Sequence, residues 1–130
     1  MSYTIEKLPG DPIIVATTGE DFSISTEIDP LNVDLLKLLD AATEPIYYIV
    51  DVRTISISVS DAIYAATAVA RTENAPFRHP NMKHVIIVTE SNLAKLSAKG
   101  LDSDVFGHLK VTVVESPDEA FAYVRSQTGG

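Results

Sequence analysis

Residues 46–52 read Ile46-Tyr47-Tyr48-Ile49-Val50-Asp51-Val52, with Pro45 just before them. A strand with one wet face alternates, whereas this run is apolar almost without interruption. It therefore predicts a strand covered on both faces, at the centre of a sheet. Working back from it, Asp29-Pro30 reads as an N-cap with proline at the first helical position, and Val33, Leu35, Leu36, Leu38 and Leu39 follow at helical spacing. A first helix is expected over residues 30–42. Further back, Tyr3-Thr4-Ile5-Glu6-Lys7-Leu8 alternates, Gly10-Asp11-Pro12 punctuates, and Ile13-Ile14-Val15-Ala16-Thr17-Thr18 is rich in strand formers. These are two strands of a hairpin turning at residues 9–12.

Working forward, Asp61-Ala62-Ile63-Tyr64-Ala65-Ala66-Thr67-Ala68-Val69-Ala70-Arg71 predicts a helix with small side chains on nearly every face. Phe77-Arg78-His79-Pro80-Asn81 reads as a loop, Lys83-His84-Val85-Ile86-Ile87-Val88-Thr89 as a second buried strand, and residues 91–99 as a short helix ended by Gly100. Leu109-Lys110-Val111-Thr112-Val113-Val114 is the last strand. Ser116-Pro117-Asp118-Glu119 then signals a capping box, opening a helix to about Arg125, with 126–130 as a frayed tail. The order β-β-α-β-α-β-α-β-α predicts one layered α/β domain over residues 1–130, its core about 3–125. Right-handed crossovers make the strands at 46–52, 83–89 and 109–114 parallel, and the N-terminal hairpin extends one side of a mixed sheet. Ligands and partners of such sheets meet the loops at the carboxyl ends of the strands, here 53–60, 89–92 and 115–116.

The 130 residues contain no cysteine, which excludes disulfide scaffolds, thiolate catalysis and cysteine metal sites, and fits a cytoplasmic protein. The net charge of −8 has the wrong sign for phosphate backbones or anionic lipid, so neither nucleic acid nor membrane is expected as a partner. The charge is uneven: residues 1–52 carry ten acids and two bases, residues 53–110 five acids and seven bases. No apolar run approaches a membrane span, and Met1-Ser2-Tyr3-Thr4-Ile5-Glu6-Lys7 lacks the pattern of a leader.

Glycines at 10, 19, 100, 107, 129 and 130 form no phosphate-cradling motif. His79, His84 and His108 lack metal-ligand spacing, and no nucleophile elbow is present. Catalytic residues, cofactor and metal are accordingly all expected to be absent. Hydroxyls concentrate in Thr54-Ile55-Ser56-Ile57-Ser58-Val59-Ser60-Asp61, between the central strand and the small-residue helix. Ser58 or Ser60 can cap that helix; alternatively either is a candidate phosphoacceptor, where added negative charge suits a helix start and alters the surface a partner meets.

The hairpin, the helix opening at Asp29-Pro30, the strand Tyr48-Ile49-Val50-Asp51-Val52 and the serine turn into an apolar helix together resemble the STAS domain, the fold of bacterial anti-sigma factor antagonists. The closer likeness is to its uncharacterised SpoIIAA-like branch, which shares folding features with the lipid-carrying CRAL-TRIO domain. In antagonist domains the strand leads to an Asp-Ser-Ser-Gly-type motif whose second serine is phosphorylated by a partner kinase. Aligned on Val50-Asp51-Val52 without gaps, the motif falls on Val59, Ser60, Asp61 and Ala62. Only Ser60 matches, and the acceptor position holds Asp61, a carboxylate that a serine kinase cannot modify.

The resemblance implies a non-enzymatic regulatory module that docks a protein partner through Arg53, Ser58, Ser60, Asp61, Thr89, Ser91 and Asn92. Three alternatives stay open. Tyr47, Tyr48 and Tyr64 can line a pocket for a small apolar or lipid-like ligand, which would make the chain a carrier. The segment from Phe77 to His84 gathers bases, histidines and an aromatic, as an anion or partner surface or with His79 or His84 as a catalytic base. The hairpin edge can pair two copies in a homodimer.

Overall fold

The computed structural model describes residues 3–55, 58, 60, 79–92, 95 and 111–128. The expected helix over 61–71, most of the one over 91–99, the start of the last strand at 109–110, and Asp61, Tyr64, Phe77, Arg78 and His108 lie outside them. Among the described residues five strands, β1 (Tyr3–Lys7), β2 (Ile13–Thr18), β3 (Ile46–Asp51), β4 (Met82–Val88) and β5 (Val111–Val114), form one sheet in the order β1-β2-β3-β4-β5. β1 and β2 are the antiparallel hairpin; β2, β3, β4 and β5 are parallel neighbours. The strand of residues 46–52 is central as expected.

Period-2 alternation sorts the strands onto two cores. Ile14, Ala16, Ile46, Tyr48 and Val85 face Leu31, Leu35 and Leu39 of helix α1 (Ile24–Ala41), with Phe22 beside them. Ile13, Tyr47, Ile49, Ile86 and Val88 face Ala120 and Val124 of helix α2 (Pro117–Thr128). Full burial also pushes the Tyr48 phenol well above its ordinary pKa. The two adjacent tyrosines thus point to opposite faces of the sheet, so the expectation that Tyr47 and Tyr48 line a single cavity is corrected.

Two helix boundaries also differ from expectation. α1 starts at Ile24 after Ser23, and Pro30 lies inside it rather than at its first position. Chain entry is set earlier than the proline: Phe22 N–H closes a turn on Gly19 O at 3.1 Å, and the buried Phe22 ring meets Tyr3 edge-on at 6.1 Å. α2 continues to Thr128, beyond the expected stop at Arg125. Its last turn is tied by hydroxyls, Ser126 donating to Tyr123 O at 2.6 Å and Thr128 to Arg125 O at 3.4 Å. At the other end of α2, Ser116 Oγ accepts the Glu119 N–H at 3.2 Å as a cap should, while Glu119 Oε2 reaches back to Glu115 N–H at 2.9 Å instead of to Ser116.

Candidate functional site

The parallel strands end on a row of buried polar side chains: Thr18 closes β2, Asp51 closes β3, and Thr89 follows β4. Buried polar groups persist where they find partners, and each does here. Thr18 Oγ1 donates to Asp51 O at 3.2 Å, and Thr54 Oγ1 donates to Thr18 O at 2.6 Å. Thr89 Oγ1 accepts the Ser91 N–H at 3.1 Å, starting a turn in which Lys95 N–H reaches Ser91 O at 3.1 Å. Backbone bonds from Val52 N–H to Val88 O (3.0 Å) and from Thr89 N–H to Val114 O (2.9 Å) tie the residues that follow β3 and β4 to the last residues of β4 and β5.

On this floor stands the ion pair of Asp51 and Arg53. Asp51 Oδ1 accepts the Arg53 backbone N–H at 3.1 Å and Arg53 Nε–H at 3.0 Å, while Oδ2 takes Nη2–H at 2.9 Å. The carboxylate is 11% exposed and the guanidinium side chain 42%. The bond to Asp51, and then the charges of Asp51 and Glu90, hold the guanidinium pKa above its already high ordinary value. Glu90 is exposed and makes no ion pair among the described residues. Ser58, Ser60 and Asn92 are exposed, and Lys95 pairs with Glu115 at 3.3 Å.

Of the residues expected to bind a partner, Arg53, Thr89, Ser91 and Asn92 follow adjacent parallel strands at one edge, although Thr89 is buried and serves the turn rather than the surface. Sequence reasoning assigned nothing to Thr18 and Asp51, and reached Thr54 and Glu90 only as members of the edge loops 53–60 and 89–92. For Asp51 a signal was present: an acid at a strand end with arginine two residues on can fold back as a fork. Thr18 and Thr54 are far apart in the chain, and nothing local signalled that they pair.

The segment before β4 does other work. His79 Nδ1 accepts Asn81 N–H at 3.0 Å, and Nε2 contacts Asp40 Oδ1 at 2.7 Å, an arrangement satisfied by the neutral ring with its proton on Nε2. Asn81 Nδ2 donates to Leu39 O (3.0 Å) and Ala42 O (3.2 Å), and Ile46 N–H meets Asn81 O at 2.6 Å. The loop caps the C-terminus of α1 and docks it on β3. His84 lies on the α2 face, its Nε2 2.7 Å from Thr112 Oγ1, stacked near Tyr47 and tilted against Tyr123 at 5.2 Å. Among the described residues no three His, Asp or Glu gather as a metal site, and no helix is long and apolar enough to cross a membrane.

No protein family and no curated protein matches the chain. Among solved structures it is similar to an uncharacterised protein of the DUF3478 family with a SpoIIAA-like fold, from Shewanella loihica PV-4, at 14% identity, over 93% of this chain and 90% of that one, with a TM-score of 0.53. The chain has a SpoIIAA-like α/β fold, as the resemblance in its sequence implies.

Proposed function

We propose that the chain is a non-enzymatic, cytoplasmic regulatory module that docks a partner protein through the carboxyl-end edge of its sheet. The observation that carries this reading is the Asp51–Arg53 pair. A cation locked by a nearly buried carboxylate still turns 42% of its side chain to solvent, at the edge whose loops also carry the exposed Ser58, Ser60, Glu90 and Asn92. Surface arginines that serve only solubility are mobile; an immobilised one has already lost the entropy that binding would cost.

A photo-reactive residue placed at 58, at 92 or at 33 in the protein of its source cells tests this. Val33, 53% exposed on α1, is the control away from the edge. One and the same protein should be linked from 58 and 92 and not from 33. Identical products from all three positions would mean indiscriminate contact and end the reading.

A further inference from the structure

We infer that Arg53 is a carboxylate-receiving anchor: at the docking edge proposed above, on which this inference rests, it takes the side-chain carboxylate of an aspartate or glutamate on the partner protein. A guanidinium is planar and carries five N–H donors. Nε–H and one Nη2–H are engaged by Asp51 at 3.0 and 2.9 Å. The other Nη2–H and both N–H groups of Nη1 remain, and none has an acceptor among the described residues. Side by side, Nη1–H and Nη2–H form a second fork at the end of the group, in the plane that Asp51 already fixes. Two parallel N–H bonds to one planar carboxylate are what such a fork accepts.

Local charge selects among anions. Asp51 balances Arg53, and Glu90 also acts on the guanidinium, so the group of three carries one net negative charge. A phosphate, bearing nearly two charges at neutral pH, is repelled more strongly there than a singly charged carboxylate, whose gain comes from geometry. Glu90, without an ion pair among the described residues, calls for a basic residue next to the partner's acid. The partner surface that fits is therefore mixed, acid opposite Arg53 and base opposite Glu90, rather than a phosphorylated or uniformly acidic one.

The protein linked from position 58 is the probe, its affinity for the full chain measured by calorimetry. Arg53→Gln is the obvious variant, yet it leaves the nearly buried Asp51 without its cation. Arg53→Lys keeps a cation on Asp51 but cannot hold two acceptors at once. Arg53→Lys should weaken binding by about tenfold, and Arg53→Gln by at least as much. Replacing the partner's acids one at a time by their amides should find one whose loss matches that of Arg53→Lys and adds nothing when the two are combined. Equal binding by wild type and Arg53→Lys overturns the inference while the docking reading stands. Binding abolished by phosphatase treatment of the partner overturns it in favour of phosphate. No protein linked from position 58 overturns both.

Discussion

The two ends of the parallel sheet are built from similar residues and finish differently. At the amino end, His79, Asn81 and Asp40 close on one another and on the carbonyls of α1; both His79 ring nitrogens have partners, and the Asn81 amide has two acceptors. At the carboxyl end, Thr18, Thr54, Asp51 and Thr89 are satisfied in the same way, but above them the outer fork of Arg53 and the exposed Glu90 carboxylate have no partner among the described residues. Saturated polar groups hold a fold. Unsaturated ones fixed on a saturated floor are available to something else, and that difference separates the two ends more sharply than composition does.

The largest expected effect on folding belongs to the saturated end. Asn81→Ala removes two hydrogen bonds, to Leu39 O in the last turn of α1 and to Ala42 O just after it, both partly buried, and should cost about 2 kcal/mol, read as a lower urea midpoint at unchanged slope. Partner binding at the opposite end should not move. If Asn81→Ala weakened docking as much as it weakened the fold, the two ends would be coupled rather than independent.

How far the sequence led follows the same division. The sheet was legible because its information is local and periodic: the apolar run at 46–52, the alternation of Tyr3 to Leu8 and the turn residues at 9–12 each specify an element without reference to the rest. The hydroxyl-rich segment and Arg53 were legible as a candidate edge through topology alone. The start of α1 was misplaced because Asp29-Pro30 is a strong local start signal, while the burial of Phe22 against Tyr3, which fixes the real one, depends on a contact across the fold. The Thr18–Asp51–Thr54 floor and the Asn81 cap were not legible for the same reason: their partners are more than thirty residues apart.

An intermediate effect sharpens the comparison from the carboxyl end. Tyr3 pairs with Thr18 in the sheet and donates its hydroxyl to Asp34 Oδ2 at 2.6 Å, a contact at that end which is satisfied internally. The bond to Asp34, then burial and the charges of Asp34 and Glu27, push the phenol up from 10.0 to about 12. The folded state therefore holds the proton more tightly than the unfolded chain, so this stability is complete below pH 10 and is lost as pH rises through about 12. Tyr3→Phe should cost about 1 kcal/mol near neutrality. It should also flatten the alkaline fall of the stability curve over that interval. A wild-type curve with no such fall would show that the Tyr3–Asp34 bond adds nothing to the fold.

The smallest effect on folding is expected where the largest effect on docking is. Arg53→Lys leaves a cation able to reach Asp51, so the nearly buried carboxylate is not stranded, and the change exchanges a fork for a single ammonium at a site 42% exposed. The urea midpoint should stay close to that of the wild type, whereas truncating the cation with Arg53→Gln should lower it, because a carboxylate only 11% exposed then loses its charge partner. The pair of variants therefore separates the two roles of one side chain. The inner fork, facing Asp51, is read in the urea midpoint of Arg53→Gln; the outer fork, without an acceptor among the described residues, is read in the partner affinity of Arg53→Lys. Were Arg53→Lys to lose stability as heavily as Arg53→Gln, the geometry of the inner fork rather than its charge would be holding the loop after β3, and the carboxyl end would join the amino end as a purely structural closure.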